Sequence, residues 1–88
     1  MPEPILGVDI AKRKFDGALL INGKLKHKVF TNSQEGFREL FAWLTKEEVD
    51  HVHVCLEASS TYGDELATSM HDAGHTVTRI KGFAQSEL

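Results

Sequence analysis

Two acidic residues at the ends of apolar segments are the first candidates for chemistry in this 88-residue sequence. Asp9 interrupts the apolar run 5–10, and Glu57 closes the run 52–56. A buried carboxylate is costly unless it is paired, protonated or bound to a cation. If the two segments are neighbouring strands, both carboxylates meet at one edge of a sheet, where oxygen ligands favour Mg²⁺ or Mn²⁺. The competing interpretation is that each acid caps a turn or a loop.

Basic residues concentrate near Asp9. Residues 1–30 hold six Lys or Arg against three Asp or Glu, whereas residues 31–88 hold four against ten. The overall net charge of −3 excludes a strongly basic nucleic-acid tail. The basic segment is either the solvated rim of a hairpin or a short edge that contacts phosphates. Lys12 and Lys14 are the candidate phosphate contacts, because they are positively charged and lie close to Asp9 in the sequence.

The histidines and the single cysteine are weaker candidates. His51, His53 and Cys55 alternate on one face of the predicted strand 52–56, without a third ligand at a zinc spacing. We therefore expect a partly exposed histidine face, and Cys55 as a small buried hydrophobic residue. One cysteine excludes a disulfide framework, and no apolar run approaches the ~18 residues of a membrane span. Without a secretory signal, the chain is expected to be soluble and cytoplasmic.

Helix and turn signals divide the chain into seven elements. The predicted strands are 5–10, 15–21, 25–31, 52–56 and 75–80. Capping boxes predict that helices begin at Asn32, with Glu35, and at Thr61, with Asp64. Gly74 ends the second helix, and residues 81–88 could begin another. Helical spacing predicts a buried stripe on each helix, comprising Phe37, Leu40, Phe41 and Leu44 on the first and Tyr62, Leu66, Met70 and Ala73 on the second.

The dipeptide Asn22-Gly23 is a strong hairpin signal. A two-residue turn would place Ile21 opposite Lys24, whereas a three-residue loop over 22–24 groups the apolar residues Leu19, Ile21, Leu25 and Val29 on one face. Because the register of a hairpin normally follows the buried face, we predict the three-residue loop.

The resulting order, β-β-β-α-β-α-β, predicts a single α/β domain over residues 1–88. Its mixed sheet has helices packed against it. Among common folds, the ribonuclease-H-like superfamily uses this order. Other α/β folds begin similarly, so the order by itself is weak evidence.

Five short segments together carry a more specific signal. They are Gly-Val-Asp-Ile-Ala-Lys at 7–12, Lys-Phe-Asp at 14–16, Cys-Leu-Glu-Ala-Ser-Ser-Thr-Tyr-Gly at 55–63, His-Asp-Ala-Gly-His at 71–75 and Lys-Gly-Phe-Ala-Gln-Ser at 81–86. In this order the segments resemble the amino-terminal part of the DEDD transposases of the insertion-sequence one-ten family. That family is related to the Piv DNA invertase and the RuvC Holliday-junction resolvase.

The resemblance implies a ribonuclease-H-like (RuvC-like) catalytic domain that binds Mg²⁺ or Mn²⁺ and cuts and joins DNA strands. The family uses four acidic residues as its catalytic acids, and Asp9 and Glu57 match the first two. Asp9 would contact the metal most directly, and Glu57 would complete the cradle. The implied partners are DNA and, in the intact family, a bridge RNA. The other two acids and a serine-bearing carboxyl-terminal domain belong beyond position 88.

Two departures from the family pattern suggest a truncated amino-terminal portion that is inactive alone. Half of the carboxylates are missing, so metal binding should be weak or absent. The Asn-Pro dipeptide that usually precedes the Lys-x-Phe-Ala segment is also missing. One alternative is a non-enzymatic module that forms a homodimer through an exposed apolar sheet face. Another is a sugar-kinase or actin-like fragment, but the residues after Asp9, 11–14, lack the Gly or Thr of a phosphate turn.

Overall fold

A computed structural model describes residues 3–57 and 61–80. The strands are β1 (Ile5–Ile10), β2 (Lys14–Ile21), β3 (Lys24–Thr31), β4 (His53–Glu57) and β5 (Thr76–Ile80). The helices are α1 (Gln34–Lys46) and α2 (Asp64–Asp72), and a short 3₁₀ helix (Thr61–Gly63) precedes α2. The predicted element order is therefore confirmed. The proposed helix over 81–88 lies outside the described residues.

The five strands form one mixed sheet in the order β3-β2-β1-β4-β5. β1, β2 and β3 are an antiparallel meander, whereas β4 pairs parallel to β1 and β5 parallel to β4. Because β4 inserts beside β1 and not beside β3, the first and fourth strands end at the same edge. This confirms the predicted α/β mixed sheet.

The β2–β3 hairpin differs from the prediction. Ile21 pairs with Lys24, so the turn contains only Asn22 and Gly23, both with positive φ (52° and 76°). This is the backbone that a two-residue hairpin turn requires. The expected three-residue loop is wrong because β3 is an edge strand: its lysines reach solvent on the helix side of the sheet. One of them, Lys26, places Nζ 2.6 Å from Oε1 of Glu47.

The first helix begins one residue later than predicted. Ser33 is the N-cap, and its hydroxyl accepts a hydrogen bond of 3.3 Å from the backbone N–H of Gly36. The side chain of Asn32, the predicted cap, instead donates hydrogen bonds to the β1–β2 turn and to the 3₁₀ helix. Gly36 lies against the end of β3, where a Cβ would overlap the carbonyl oxygen of Thr31. The absence of a side chain at position 36 therefore allows the helix to start directly over the strand.

The second helix is also capped differently. Thr61 lies in the 3₁₀ helix, and Gly63 is the N-cap of α2 without a side-chain hydrogen bond, so the predicted Thr61–Asp64 capping box does not form. Asp64 in the first turn interacts favourably with the positive end of the helix dipole. At the other end Gly74 has φ 96° and its N–H bonds to the carbonyl of His71, which confirms the predicted stop.

Both helices cover the same face of the sheet. In α1, Trp43 is buried in place of the predicted Phe41, which is only partly buried. Of the stripe predicted for the second helix, Tyr62 and Ala73 lie outside the bounds of α2 and are exposed. Phe15 stacks on Phe30 with ring centroids 5.1 Å apart. The core comprises Leu6, Val8, Phe15, Leu19, Phe30, Phe37, Leu40, Trp43, Leu44, Val49, Val52, Val54, Leu56, Leu66 and Met70.

Along each strand, the side chains that alternate with the helix-facing ones point to the other side of the sheet, called the open face here. No helix in the described ranges covers this face, so several large apolar side chains on it are exposed. The open face comprises Ile5, Gly7 and Asp9 of β1, Asp16, Ala18 and Leu20 of β2, Leu25, His27 and Val29 of β3, His53, Cys55 and Glu57 of β4, and Thr76, Thr78 and Ile80 of β5. Neither described helix has the length and apolar character of a membrane span.

Candidate active site

Asp9 and Glu57 lie side by side on the open face. The parallel register of β1 and β4 makes the two residues direct partners, although 48 positions separate them in the chain. Neighbouring strands are ~4.8 Å apart, and residues in register share a face. The sequence-based expectation that these two carboxylates share one edge of the sheet therefore agrees with the geometry. They are called the acidic pair below.

The acidic pair borders a shallow hollow of about 420 Å³ on the open face. Small residues form its floor, since Gly7, Ala18 and Cys55 come from three adjacent strands. A Cβ built on Gly7 would meet only the carbonyl oxygen of Ala18, at 3.9 Å. The hollow thus exists because these side chains are short. Cys55 is only partly buried there, so the expectation of a buried core residue is wrong.

Asp16 is a third carboxylate on this hollow and is not one of the site residues predicted from the sequence. The antiparallel register of β1 and β2 places Asp16 directly opposite Asp9, on the side away from Glu57. Alternation along β2, together with the short turn over 11–13, could have indicated this pairing. Residues 9, 16 and 57 therefore form a row of acids across three strands.

The donor set suits a hard divalent cation in chemical type, since all three groups are carboxylates. Within residues 3–57 and 61–80, however, no group of three His, Cys, Asp or Glu side chains has the geometry to hold a metal ion. Two carboxylates supply only a few of a cation's ligands, so most of its coordination sphere would be filled by water or by groups outside the described residues. The described residues thus fit part of a metal site.

Basic side chains follow the acidic pair along β1. Lys12 and Arg13 lie in the exposed turn between β1 and β2, and Lys14 is the exposed first residue of β2. A 2.9 Å hydrogen bond from Ala11 N–H to the Lys14 carbonyl closes the turn. In the described part of the chain none of these three cations forms an ion pair. Their charges are therefore available to an anionic ligand at this edge of the sheet.

The Asn32 side chain lies behind this turn. Its amide nitrogen, Nδ2, is 3.0 Å from the carbonyl of Ala11 and 3.3 Å from that of Lys12. The same nitrogen is 3.0 Å from the carbonyl of Tyr62, in the 3₁₀ helix that follows β4. One amide therefore contacts both segments that leave the acidic pair.

The histidines near β4 connect it to its neighbours. His53 Nε2 is 2.7 Å from Thr78 Oγ1, and His51 Nε2 is 3.1 Å from Thr76 Oγ1. His53 is half-buried and His51 is exposed, so the expectation of a partly exposed histidine face is correct. Both imidazole rings are therefore bonded to threonine side chains of β5, away from the acidic pair.

His75 has a more buried position. Its Nδ1 accepts a 3.1 Å hydrogen bond from the backbone N–H of Val52, and its ring stacks on Phe41. Burial, together with the neighbouring His51 ring, lowers the pKa of His75 below its ordinary value of 6.5. Folding therefore favours the neutral form of the His75 ring.

Solved structures with this architecture define the class of fold. YeaZ from Pseudomonas aeruginosa matches 94% of this chain and 45% of its own, with a TM-score of 0.61 at 12% identity. An exopolyphosphatase from Cytophaga hutchinsonii matches 91% of this chain and 35% of its own, with a TM-score of 0.50 at 13% identity. At such identities the likeness establishes only the fold, which is ribonuclease-H-like or actin-like.

The sequence match assigns the family within that class. A transposase family model, that of the IS110 DEDD transposases, matches residues 6–88, and the chain belongs to this family. It is also 35% identical over 69 residues to the pilin gene-inverting protein of Moraxella bovis, and 33% identical to that of Moraxella lacunata. Each match covers 76% of this chain and 21% of the relative, so the chain spans about a fifth of those proteins.

Proposed function

We propose that this chain is the amino-terminal portion of a RuvC-like transposase catalytic domain and supplies the first two acids of its divalent-metal centre. The reaction proposed for the intact domain is the cleavage and joining of DNA strands. Family membership supports this function. The single observation that carries the residue assignment is the register of β1 and β4, which makes Asp9 and Glu57 partners.

Each residue has a distinct role in this proposal. Asp9 and Glu57 would hold the cation from two hydrogen-bonded strands, whose pairing fixes the spacing of the two side chains. The hollow beside them leaves room for a phosphate and for water. A divalent metal, when bound, activates the attacking oxygen and neutralises charge on the leaving oxygen.

The exposed turn after β1 would contact the DNA backbone. Phosphoryl transfer depends mainly on positioning and on electrostatic stabilisation. The acidic row at 9, 16 and 57 repels a phosphate, and Lys12 and Lys14 would offset that repulsion where the strand approaches the acidic pair. These contacts are to phosphates and carry no sequence information.

A titration with Mn²⁺ tests the metal site in the 88-residue chain. Because the described residues offer two adjacent carboxylates and no three-ligand cluster, we expect a dissociation constant on the order of millimolar or weaker. Paramagnetic broadening of backbone amide signals should be strongest around residues 7–9 and 55–57.

The substitution Asp9→Asn should abolish this localised broadening without unfolding the chain, because Asp9 is exposed. Asp72→Asn is the matched control, since Asp72 is also exposed and lies at the end of α2. Broadening spread evenly over the surface, or unchanged in Asp9→Asn, would contradict the proposed site.

Self-association is a second candidate function, favoured by the apolar residues of the open face. Leu25 and Val29 on the edge strand β3 are 59% and 57% exposed, and Leu20 beside them is 42% exposed. A second copy of the chain could bury these residues in a symmetric contact. Light scattering at micromolar concentration should then give the mass of a homodimer, which Val29→Lys would convert to a monomer. A monomer for the unsubstituted chain would refute this candidate.

A further inference from the structure

Asn32 links two segments that are distant in sequence and adjacent in the fold. Its backbone N–H donates to the carbonyl of Arg13 at 2.8 Å, which continues the β2–β3 pairing by one residue. Its side-chain nitrogen faces three carbonyl oxygens, two in the β1–β2 turn and one, that of Tyr62, in the 3₁₀ helix. These contacts join the β1–β2 turn to the 3₁₀ helix through one side chain.

The orientation of the Asn32 amide is determined by its surroundings. A flipped amide would place its oxygen against three acceptors and lose every one of these hydrogen bonds. In the actual orientation Oδ1 is buried and meets no donor among the residues described. All the contacts of this side chain are therefore made by the amide nitrogen as donor. An acceptor at the position of Nδ2 would be repelled by the three carbonyl oxygens.

The two segments follow β1 and β4, the strands that carry the acidic pair. The β1–β2 turn begins two residues after Asp9, and the 3₁₀ helix begins four residues after Glu57. At the end of that helix Gly63 packs on the strands themselves: a Cβ on it would lie 2.9 Å from Leu56 Cδ2 and 3.4 Å from Ile10 Cγ2. Leu56 and Ile10 are the chain neighbours of the acidic pair.

We propose that Asn32 is a positioning residue for the metal site, because its amide donor fastens together the segments that follow Asp9 and Glu57. The inference rests on the proposed function of the acidic pair. Asn32 itself contacts no ligand. The pairing of β1 and β4 sets the backbone spacing of the two carboxylates, and Asn32 limits the movement of the strand ends that carry them. It also fixes the turn that carries Lys12.

The test compares Asn32→Ala with Ser33→Ala in the 88-residue chain. Ser33→Ala removes the cap of α1 and lowers stability, but it leaves the contacts of Asn32 in place. Mn²⁺ affinity is measured by paramagnetic broadening of residues 7–9 and 55–57, at a temperature where both variants are folded. We expect Asn32→Ala to weaken the affinity by about tenfold, as is typical when a partner that orients metal ligands is lost. Ser33→Ala should leave the affinity unchanged.

Equal Mn²⁺ affinity in the two variants, at comparable losses of thermal stability, would overturn the proposal and leave Asn32 a structural residue. Should Asn32→Ala not fold, Asn32→Gln replaces it; its amide is displaced by one methylene group, and an unchanged affinity would again overturn the proposal. Absence of localised broadening in the unsubstituted chain is a separate outcome. It would refute the proposed metal site, and with it the role of Asn32.

Discussion

Replacing Gly36 by alanine should destabilise the protein, although alanine is the better helix former. Helix propensity alone predicts a gain of about 1 kcal/mol for this substitution in α1. The Cβ, however, would overlap the carbonyl oxygen of Thr31 and would lie 2.7 Å from both its carbonyl carbon and its Oγ1. Because ordinary non-bonded contacts are about 3.5–4.0 Å, the start of the helix must move by on the order of 1 Å.

The magnitude follows from what that movement disrupts. The 3.3 Å cap hydrogen bond from Gly36 N–H to Ser33 is lost, which costs about 1 kcal/mol. Phe37 and Leu40 are 1% and 0% exposed, and partial withdrawal of such side chains costs about 1–2 kcal/mol each, less than the full value for burial. After the propensity gain is subtracted, we expect a net loss of about 2–4 kcal/mol. That is a large part of the roughly 4–13 kcal/mol expected for a chain of this size.

Thermal unfolding followed by circular dichroism measures this effect. For a domain of this size each kcal/mol lowers the melting temperature by about 4–8 °C, so a fall of roughly 8–32 °C is expected. Gly7→Ala is the matched control, because a Cβ at that position meets only one atom, at 3.9 Å. If Gly36→Ala melts at or above the temperature of the unsubstituted chain, then propensity dominates and the steric argument is wrong.

Three further outcomes follow from other parts of the structure. Since burial and His51 lower the folded-state pKa of His75, the unfolded chain binds the proton more readily; the free energy of unfolding should therefore fall as the pH drops below 6.5, and urea titrations at several pH values should show less of this slope in His75→Gln. Gly7→Val should fill the hollow and abolish the Mn²⁺ broadening while changing the melting temperature by only a few degrees, whereas persistence of the broadening would place the ion elsewhere. Leu66→Ala, at a site with 0% exposure, should cost about 2–5 kcal/mol in urea unfolding, and a loss below about 1 kcal/mol would contradict its place in the core.

Sequence patterns predicted the element order because apolar periodicity and turn residues are local signals. The apolar alternation of Val52, Val54 and Leu56 correctly indicated one buried face of β4. The same local patterns placed Asp9 and Glu57 at strand ends. Their pairing depends on β4 inserting beside β1, and that had to be inferred from topology and from the family resemblance.

Local rules failed where two of them competed. Asn32 and Ser33 are both good N-caps, and tertiary contacts decided between them, because Asn32 is engaged by three carbonyl oxygens. In the β2–β3 hairpin the conformational preference of Asn22-Gly23 outweighed the burial of Leu25, since an edge strand gains little from burial there. The position of Asp16 opposite Asp9 was not predicted, because it depends on the register between β1 and β2, which the sequence of a single strand does not reveal.

The order in which the sheet assembles determines when the acidic pair forms. The hairpins of β1, β2 and β3 close short loops, whereas β4 reaches β1 only after the chain between positions 10 and 53 has folded back. Long loop closure is slow relative to hairpin formation. During synthesis Asp9 therefore emerges long before Glu57, and a nascent or partly unravelled chain holds Asp9 and Asp16 without Glu57. The acidic pair is therefore complete only when the long-range pairing of β1 with β4 has formed.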